Sequence, residues 1–359
     1  VYAGASRGFG IWKTTDGGVT WFRLTNTNNF LWVNDIIVRE EGGFAVIYAA
    51  VGDTYYEGEY GLWDGAKEGL YRSSDGGNNW AQVLPNVTDY VVPYQPSDIE
   101  IDVYNNIWIG TRQNSYGLGA GTILKSTYSS TTPPSNSWTT WSSLNWTTIS
   151  PDANRIELAC APSNSDVVYA VCSKDDAGDN DIAFVAKTSN GLASGFTTTG
   201  LTIPLNGDGN HFTRGQAWYD LILAVNPNNK DVLYAGGIDL YKSINGGSIW
   251  EKISHWYSGT GIPYVHADQH AIAFRPGYSN SNTFIVGNDG GVHMTTDGGT
   301  DFTAKNSGYN VTQFYSVALH PTSGINFFLA GSQDNGTQKF ENATGVVNTI
   351  EVTGGDGAF

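Results

Sequence analysis

Three aspartates stand at corresponding places in the chain, each at the start of a short apolar run. Asp35 begins "DIIVR", Asp98 begins "DIEIDV" and Asp220 begins "DLILAV". Two such carboxyl groups could act as general acid and general base in glycoside hydrolysis, provided that they lie about 6.5 to 9.5 Å apart for an inverting reaction. An aspartate at the entrance of a strand can also simply cap the turn before it. The sequence leaves both interpretations open.

Aromatic, imidazole and basic side chains occur near these aspartates and in the loops that lead to them. Such a mixture of flat apolar surfaces and a few polar groups is typical of a cleft for a carbohydrate or a peptide. One of the loops, residues 52–69, is long and rich in tyrosine, which favours a functional role for it. The candidates for ligand contact are Trp32, Trp63, Tyr94, Arg155, Trp218, His266, Asp268 and His270.

One acidic loop, "SKDDAGDNDI" at 173–182, could hold calcium through Asp175, Asp179 and Asp181, because calcium takes 6 to 8 oxygen ligands. The EF-hand spacing is absent, however, and a solvated acidic loop explains the same residues. The phrase "HADQH" does not fit the H-E-x-x-H pattern of zinc enzymes. We therefore predict no metal or other cofactor.

A short phrase recurs along the chain as "KTTDGGVTW", "RSSDGGNNW", "KSINGGSIW" and "TTDGGTDF". Its acidic or amide positions are Asp16, Asp75, Asn245 and Asp297. A side-chain oxygen there can accept backbone N–H groups across its own turn, while the glycines adopt positive φ. Asparagine replaces aspartate in one copy, a change that acid or base catalysis would not tolerate. The phrase is therefore predicted to be structural.

The phrase belongs to a longer repeat that contains four predicted strands. Six first strands can be read, together with seven second strands such as "VVYAVC" and seven fourth strands that begin near an aromatic residue or Thr349. Four-stranded repeats of about 40 to 60 residues indicate a β-propeller. We predict an all-β fold, one seven-bladed propeller over residues 1–359, whose first blade lacks one strand within this chain. The missing strand would come from a longer parent protein.

Composition agrees with this architecture and excludes some functions. The 45 glycines and 13% aromatic residues suit short strands and tight turns. A net charge of −16 argues against a nucleic-acid partner, which requires Lys and Arg. No apolar run approaches the roughly 20 residues of a membrane helix, so membrane insertion is not expected. Cys160 and Cys172 could form a cross-strand disulfide or remain as buried thiols.

In its recurring phrase the sequence resembles the Asp-box, or bacterial neuraminidase repeat, propellers. Sialidases of this class carry three arginines for the substrate carboxylate, which this chain does not supply. The phrases "YVHADQHAIAFRP", "VGNDGGVHMTTDGG" and "LAGSQDNGTQKF" are similar to large secreted proteins of Bacteroidetes-type bacteria, with xyloglucanase-like and sortilin-like propellers. The resemblance implies a secreted or cell-surface protein, often a type 9 secretion cargo with further domains.

Two functions follow from these observations. The first is a binding module whose loop-rich face, opposite the Asp-box turns, takes a polysaccharide or protein ligand. The second is a glycoside hydrolase of the xyloglucanase-type endoglucanase class, in which two of Asp35, Asp98 and Asp220 act as acid and base.

Overall fold

The computed structural model describes residues 8–52, 68–128, 141–145, 150–174, 178, 180–188, 195–277, 282–307, 312, 314–333, 335–341 and 349–357. Within these residues the helical content is one 3-10 turn, Thr25–Thr27. No helix in the described part of the chain is long and apolar enough to span a membrane.

Seven antiparallel sheets follow one another along the chain, and in each sheet the hydrogen-bonded neighbours are consecutive strands. Within the described residues five sheets have four strands, the sheet fourth in chain order has three and the sheet first in chain order has two. Each sheet is one blade, so the predicted all-β, seven-bladed propeller is confirmed. In the fourth blade an isolated bridge between Lys187 and Thr197 stands where a fourth strand was predicted. The predicted second strand of blade 1 lies in residues 1–7, outside the described residues.

The strands have the following bounds. Blade 1 has β1 (Trp12–Lys13) and β2 (Phe22–Arg23); blade 2 has β3 (Trp32–Glu41), β4 (Phe44–Gly52), β5 (Gly69–Ser73) and β6 (Ala81–Gln82); blade 3 has β7 (Gln95–Ile101), β8 (Ile107–Arg112), β9 (Thr122–Ser126) and β10 (Trp141–Asn145); blade 4 has β11 (Ala153–Cys160), β12 (Val168–Lys174) and β13 (Ile182–Thr188). Blade 5 has β14 (Ile222–Val225), β15 (Leu233–Gly236), β16 (Leu240–Ser243) and β17 (Glu251–Lys252); blade 6 has β18 (Gln269–Phe274), β19 (Phe284–Asn288), β20 (Gly291–Thr295) and β21 (Thr303–Ala304); blade 7 has β22 (Phe314–Leu319), β23 (Phe327–Ser332), β24 (Thr337–Glu341) and β25 (Thr349–Thr353).

The second strands are apolar on both faces because a neighbouring blade covers each face. Trp108 and Ile109 of β8 are adjacent, so their side chains point to opposite faces, yet both are fully buried. Between blades 2 and 3, Tyr48 and Leu70 pack with Ile99 in one core cluster. The first strands of blades 2 to 6 also contact one another in turn.

The seventh blade exposes several apolar strand residues. Val317 and Leu319 of β22 and Ile350 of β25 are more than half exposed, although their types suit a buried sheet.

Each recurring phrase forms a turn that satisfies its own polar groups. In blade 2, Asp75 Oδ1 accepts the backbone N–H groups of Asn78 at 3.0 Å and Asn79 at 2.9 Å, and the Ser73 hydroxyl donates to the same oxygen at 2.8 Å. Trp80 Nε1 donates to the Gly77 carbonyl at 3.0 Å. These bonds lower the pKa of Asp75 to about 2, the bonds from Asn79 having the largest effect. Asp16, Asn245 and Asp297 accept equivalent bonds in their own turns.

The same turns also hold neighbouring blades together. Lys13 Nζ of blade 1 donates to the Gly76 carbonyl of blade 2 at 3.0 Å, and Lys242 Nζ of blade 5 donates to the Gly298 carbonyl of blade 6 at 2.8 Å. Leu24 packs so closely on Gly77 that an added Cβ would lie 2.4 Å from its Cδ1 atom. In blade 2 the second glycine of the phrase is thus required by the neighbouring blade as well as by its turn.

We expect Gly77→Ala to cost about 1 to 2 kcal/mol more unfolding free energy than Gly18→Ala, because inserting a methyl group into packed surroundings forces them apart. Gly18 is a matched control: it holds the same turn position in blade 1, its φ is +93° against +97° for Gly77, and its nearest neighbour would be 3.8 Å from the added Cβ. Urea unfolding of both variants measures the difference. Equal losses would show that backbone strain alone accounts for the effect.

Candidate functional site

The strand order places two kinds of loop at opposite ends of the propeller. The turns formed by the recurring phrase lie at one end. The starts of the first strands, the connections between blades and the turns between second and third strands lie at the other, which we call the upper face. Most sequence-predicted site residues belong to the upper face.

Asp35 and Asp98 use their carboxylates to join neighbouring first strands. Asp35 Oδ1 accepts the N–H of Ile36 at 2.7 Å, and its Oδ2 accepts the N–H of Ile99 in blade 3 at 3.3 Å. Asp98 Oδ2 accepts the N–H of Leu158 in blade 4 at 2.7 Å. Each carboxylate therefore has a structural role between two blades.

Arg155 makes the corresponding connection from blade 4 to blade 5. Its guanidinium donates to the carbonyls of Ala217 at 3.3 Å, Tyr219 at 3.2 Å and Leu221 at 3.0 Å, and its Nε donates to Glu157 at 2.9 Å. A side chain with this many backbone partners positions the segment before β14. These hydrogen bonds fix the backbone of that segment, which belongs to the upper face.

The strands of blades 2 to 4 also bring several ionisable groups together. Burial raises the pKa of Asp98 well above its usual range, and the carboxylates of Glu157, Glu100 and Asp35 add to this effect. Burial likewise raises the pKa of Glu100 to about 8 and that of Glu157 to about 7, and it lowers the pKa of Arg112 to about 10. Sequence reasoning missed Glu100 and Glu157. Their spacing of two residues from Asp98 and Arg155 was the available signal, since alternate residues share one face of a strand.

Asp220 belongs to a different group from Asp35 and Asp98. It is fully buried, and neither carboxylate oxygen has a hydrogen-bond partner among the described residues. Burial raises its pKa well above the usual range, and the Asp268 carboxylate raises it further while Arg155 opposes the shift. The structure therefore pairs Asp220 with Asp268.

An exposed cluster lies where blades 5 and 6 meet on the upper face. The Tyr219 hydroxyl lies 2.9 Å from both Asp289 oxygens, and His270 Nε2 lies 2.6 Å from Asp289 Oδ1. The Tyr219 ring is 4.8 Å from the His270 ring and 5.4 Å from the Trp218 ring. Trp218 and Tyr219 are each 39% exposed. We call Trp218, Tyr219, His270 and Asp289 the platform.

Two members of the platform, Trp218 and His270, were predicted from the sequence, and the structure brings them together. Tyr219 and Asp289 were not predicted. Asp289 lies in the turn between β19 and β20, in the phrase "NDGG". In the sequence this phrase is similar to the recurring structural turns, so it does not stand out as a site. The position of that turn on the upper face was the signal that could have found it.

More aromatic surface lies in the connection from blade 5 to blade 6. Trp256, Tyr257 and Tyr264 are each close to half exposed. The Tyr257 ring packs 3.9 Å from the His255 ring and 4.8 Å from the Trp256 ring. Hydrogen bonds between His255 and Pro263 and between Val265 and His255 hold this loop closed. The upper face therefore presents a second aromatic group that is already ordered by its own contacts.

The other predicted contact residues occupy less open positions. Trp32 is partly buried, and its Nε1 atom has no hydrogen-bond partner among the described residues. Tyr94 is buried beside Gly119. His266 is partly buried, with Nδ1 3.2 Å from the Ala267 carbonyl. Trp63 lies outside the described residues.

The acidic loop and the cysteines have structural explanations where they are described. Asp181 is buried and accepts the Ala217 N–H at 2.7 Å and the Thr213 hydroxyl. Asp175 and Asp179 lie outside the described residues, and the part of the chain that is described contains no group of three or more potential metal-ligating side chains. Cys160 and Cys172 are both free and buried. They pair with Val168 and Ile156 on different rungs of the β11 and β12 ladder, so the disulfide alternative is wrong.

No protein-family model and no curated protein sequence matches this chain. Among solved structures, an ancestral GH74 enzyme is similar over 92% of this chain and 45% of its own, with 16% identity and a TM-score of 0.54. The GH74 enzyme of Niastella koreensis is similar over 96% of this chain and 66% of its own, with 15% identity and a TM-score of 0.39. YCF48 bound to D1 peptide is similar over 92% and 83%, with 15% identity and a TM-score of 0.44. The chain spans less than two thirds of either GH74 enzyme, and these likenesses concern the fold alone.

Proposed function

We propose that the chain is a secreted or cell-surface binding module that takes a polysaccharide or protein ligand on its upper face, at the platform. The observation that carries the proposal is the pair of exposed rings, Trp218 and Tyr219, held in place by Asp289 and His270. Exposed aromatic rings offer large flat surfaces for a sugar ring or an apolar side chain, at little cost in conformational entropy. Because the contacts to Asp289 already orient Tyr219, little ordering is needed when a ligand binds.

The contacts of Asp35, Asp98 and Asp220 favour binding rather than hydrolysis. Asp35 and Asp98 accept backbone N–H groups of the adjacent blade, so they are committed to holding first strands together. Asp220 is fully buried. None of the three therefore presents a free carboxyl group to a ligand on the platform.

Hydrolysis of a glycan is the alternative function, and one observation favours it. Asp289 is a partly exposed carboxylate beside two aromatic rings, and Tyr219 and His270 contact it in the manner of groups that orient a catalytic acid or base. The similar ancestral GH74 enzyme has the same fold. Reducing-sugar assays on soluble β-glucans test this alternative with the wild-type chain and Asp289→Asn. Turnover that Asp289→Asn abolishes would replace the binding proposal, whereas no turnover by the wild-type chain would exclude the alternative for these substrates.

We expect Trp218→Ala to weaken binding to the best ligand on a glycan and peptide array about tenfold or more, because an aromatic anchor at the centre of an interface commonly contributes over 1 kcal/mol. The matched control is Trp21→Ala, which removes an exposed tryptophan from the opposite, Asp-box face. Circular dichroism confirms that both variants fold. Equal weakening by both variants would show that the platform is not the binding surface.

A further inference from the structure

Two buried carboxyl groups meet behind the platform. Asp220 is the neighbour of Tyr219 in the sequence and comes shortly before β14, whereas Asp268 comes immediately before β18 and two residues before His270. Their exposed fractions are 0% and 8%. They belong to the connections that lead into blades 5 and 6, the two blades that form the platform.

Among the described residues, the surroundings of Asp220 do little to satisfy an ionised carboxylate. Neither of its oxygens accepts a hydrogen bond from the described residues. The Gln269 amide, the next polar group in the chain after Asp268, donates instead to the carbonyls of His266 at 2.6 Å and Ile238 at 3.2 Å. A buried charge without such bonds is very costly, so the group takes up a neutralising partner.

The charged and titratable groups that act on Asp220 are Asp268 and Arg155, and the Tyr219 hydroxyl is affected by both aspartates. Arg155 lowers the cost of a negative charge, but its guanidinium already donates to Glu157 and to three backbone carbonyls. Asp268 can hold a proton together with Asp220, because its carboxyl group is close enough to act on Asp220 and two close carboxyl groups cannot both be ionised at low cost. The Asp268 backbone has a φ of +62°, in the left-handed region that few residues other than glycine adopt.

We propose that Asp220 and Asp268 share one proton and form a pH-sensitive clamp between blades 5 and 6, directly behind the platform. A proton fits better than a metal ion because the described residues offer no group of three or more metal-ligating side chains. With the proton in place, the two connections attract each other. When the proton leaves, two buried carboxylates repel each other, and the segments that lead into β14 and β18, beside Tyr219 and His270, lose their mutual support.

The direction of the pH effect follows from the raised pKa of Asp220 in the folded state. A group whose folded pKa lies above its unfolded value holds more protons when the protein is folded. The stability that it contributes is fully present below the unfolded pKa and is lost as pH rises through the folded pKa. The clamp is therefore closed in acid and weakened in alkali.

Thermal unfolding of the wild-type chain, Asp220→Asn, Asp268→Asn and the double variant at pH 5 and pH 9 tests the proposal. We expect the unfolding temperature of Asp220→Asn, relative to that of the wild-type chain, to be at least about 2 °C higher at pH 9 than at pH 5, since an amide cannot become charged. Asp268→Asn should change in the same direction by less, because burial, the main reason for the raised pKa of Asp220, remains and only the repulsion from Asp268 is removed. The double variant should gain no more than Asp220→Asn, since no ionisable group of the pair is left in it.

Asp102→Asn is the control, because Asp102 is buried but accepts bonds from Tyr104, Asn106 and Trp108 and should lose stability at both pH values. The same temperature offset for Asp220→Asn at pH 5 and pH 9 would overturn the proposal. Millimolar calcium chloride that raises the unfolding temperature of the wild-type chain but not of Asp220→Asn would also overturn it, in favour of a metal ion. The measurement needs no ligand, so its outcome is independent of whether the platform binds one; the proposed function bears only on what the clamp would regulate.

Discussion

Replacing Glu41 by glutamine is expected to cost about 3 to 5 kcal/mol of unfolding free energy, because it leaves buried arginine charge without its partner. Glu41 is 0% exposed and Arg39 is 1% exposed. Glu41 Oε1 accepts Nε of Arg39 at 2.9 Å and Nη2 at 2.6 Å, and it also accepts the Tyr48 hydroxyl. Its second oxygen accepts Nη2 of Arg72. One carboxylate thus neutralises two arginines inside blade 2.

The pKa of Glu41 shows the strength of these contacts, since burial alone would raise it and the bonds from Arg72, Tyr48 and Arg39 bring it below its usual value. Glu40→Gln is the matched control, because Glu40 is the exposed neighbour of Glu41 and its side chain bonds only to the Gly43 N–H among the described residues. Denaturant unfolding measures both variants at pH 7. A loss below about 1 kcal/mol for Glu41→Gln, the size expected of an exposed pair, would show that the network is not held as the structure describes.

Glu100→Gln is expected to stabilise the protein at pH 8, on the order of 2 kcal/mol, and to leave it almost unchanged at pH 4. Burial is the main reason that the pKa of Glu100 rises from 4.5 to about 8, and the Asp35 carboxylate contributes as well. The folded state therefore binds more protons than the unfolded chain between these two values, and stability is lost as pH rises through that window. One pKa unit corresponds to about 1.4 kcal/mol. Partial access of water to Glu100 makes the stabilisation smaller than the whole pKa shift would give.

Stability curves at intervals between pH 4 and pH 9 measure this difference. Glu251→Gln is the control, because Glu251 is exposed at the outer edge of blade 5. It should follow the wild-type curve at every pH. A Glu100→Gln curve parallel to the wild-type curve would mean that Glu100 is solvated in the folded protein.

The fold could be predicted in some detail because its signals are local. Turn phrases with Asp75 or Asn245 mark the boundary between third and fourth strands, and the apolar second strands indicate sheets that are covered on both faces. Where the repeat weakens, the prediction weakens too: the fourth strand expected near Phe196 is only a single bridge at Thr197.

The candidate site was less predictable than the fold. Asp35, Asp98 and Asp220 occupy the same place in three repeats, and nothing in the sequence distinguishes them. The structure separates them because their partners come from the next blade. Ile99 and Leu158 supply N–H donors to the first two aspartates, whereas Asp220 meets another carboxyl group.

The sequence by itself determined the number of blades, the structural role of the recurring turn phrase and the end of the propeller that carries the variable loops. These features depend on residues within about one repeat, where hydrogen bonds and the alternation of side chains act between near neighbours. Only the tertiary structure decided that Asp289 supports Tyr219 and His270 and that Asp220 faces Asp268. Those contacts join side chains from different blades, and their distances depend on how the blades pack, which no local pattern of residue types records.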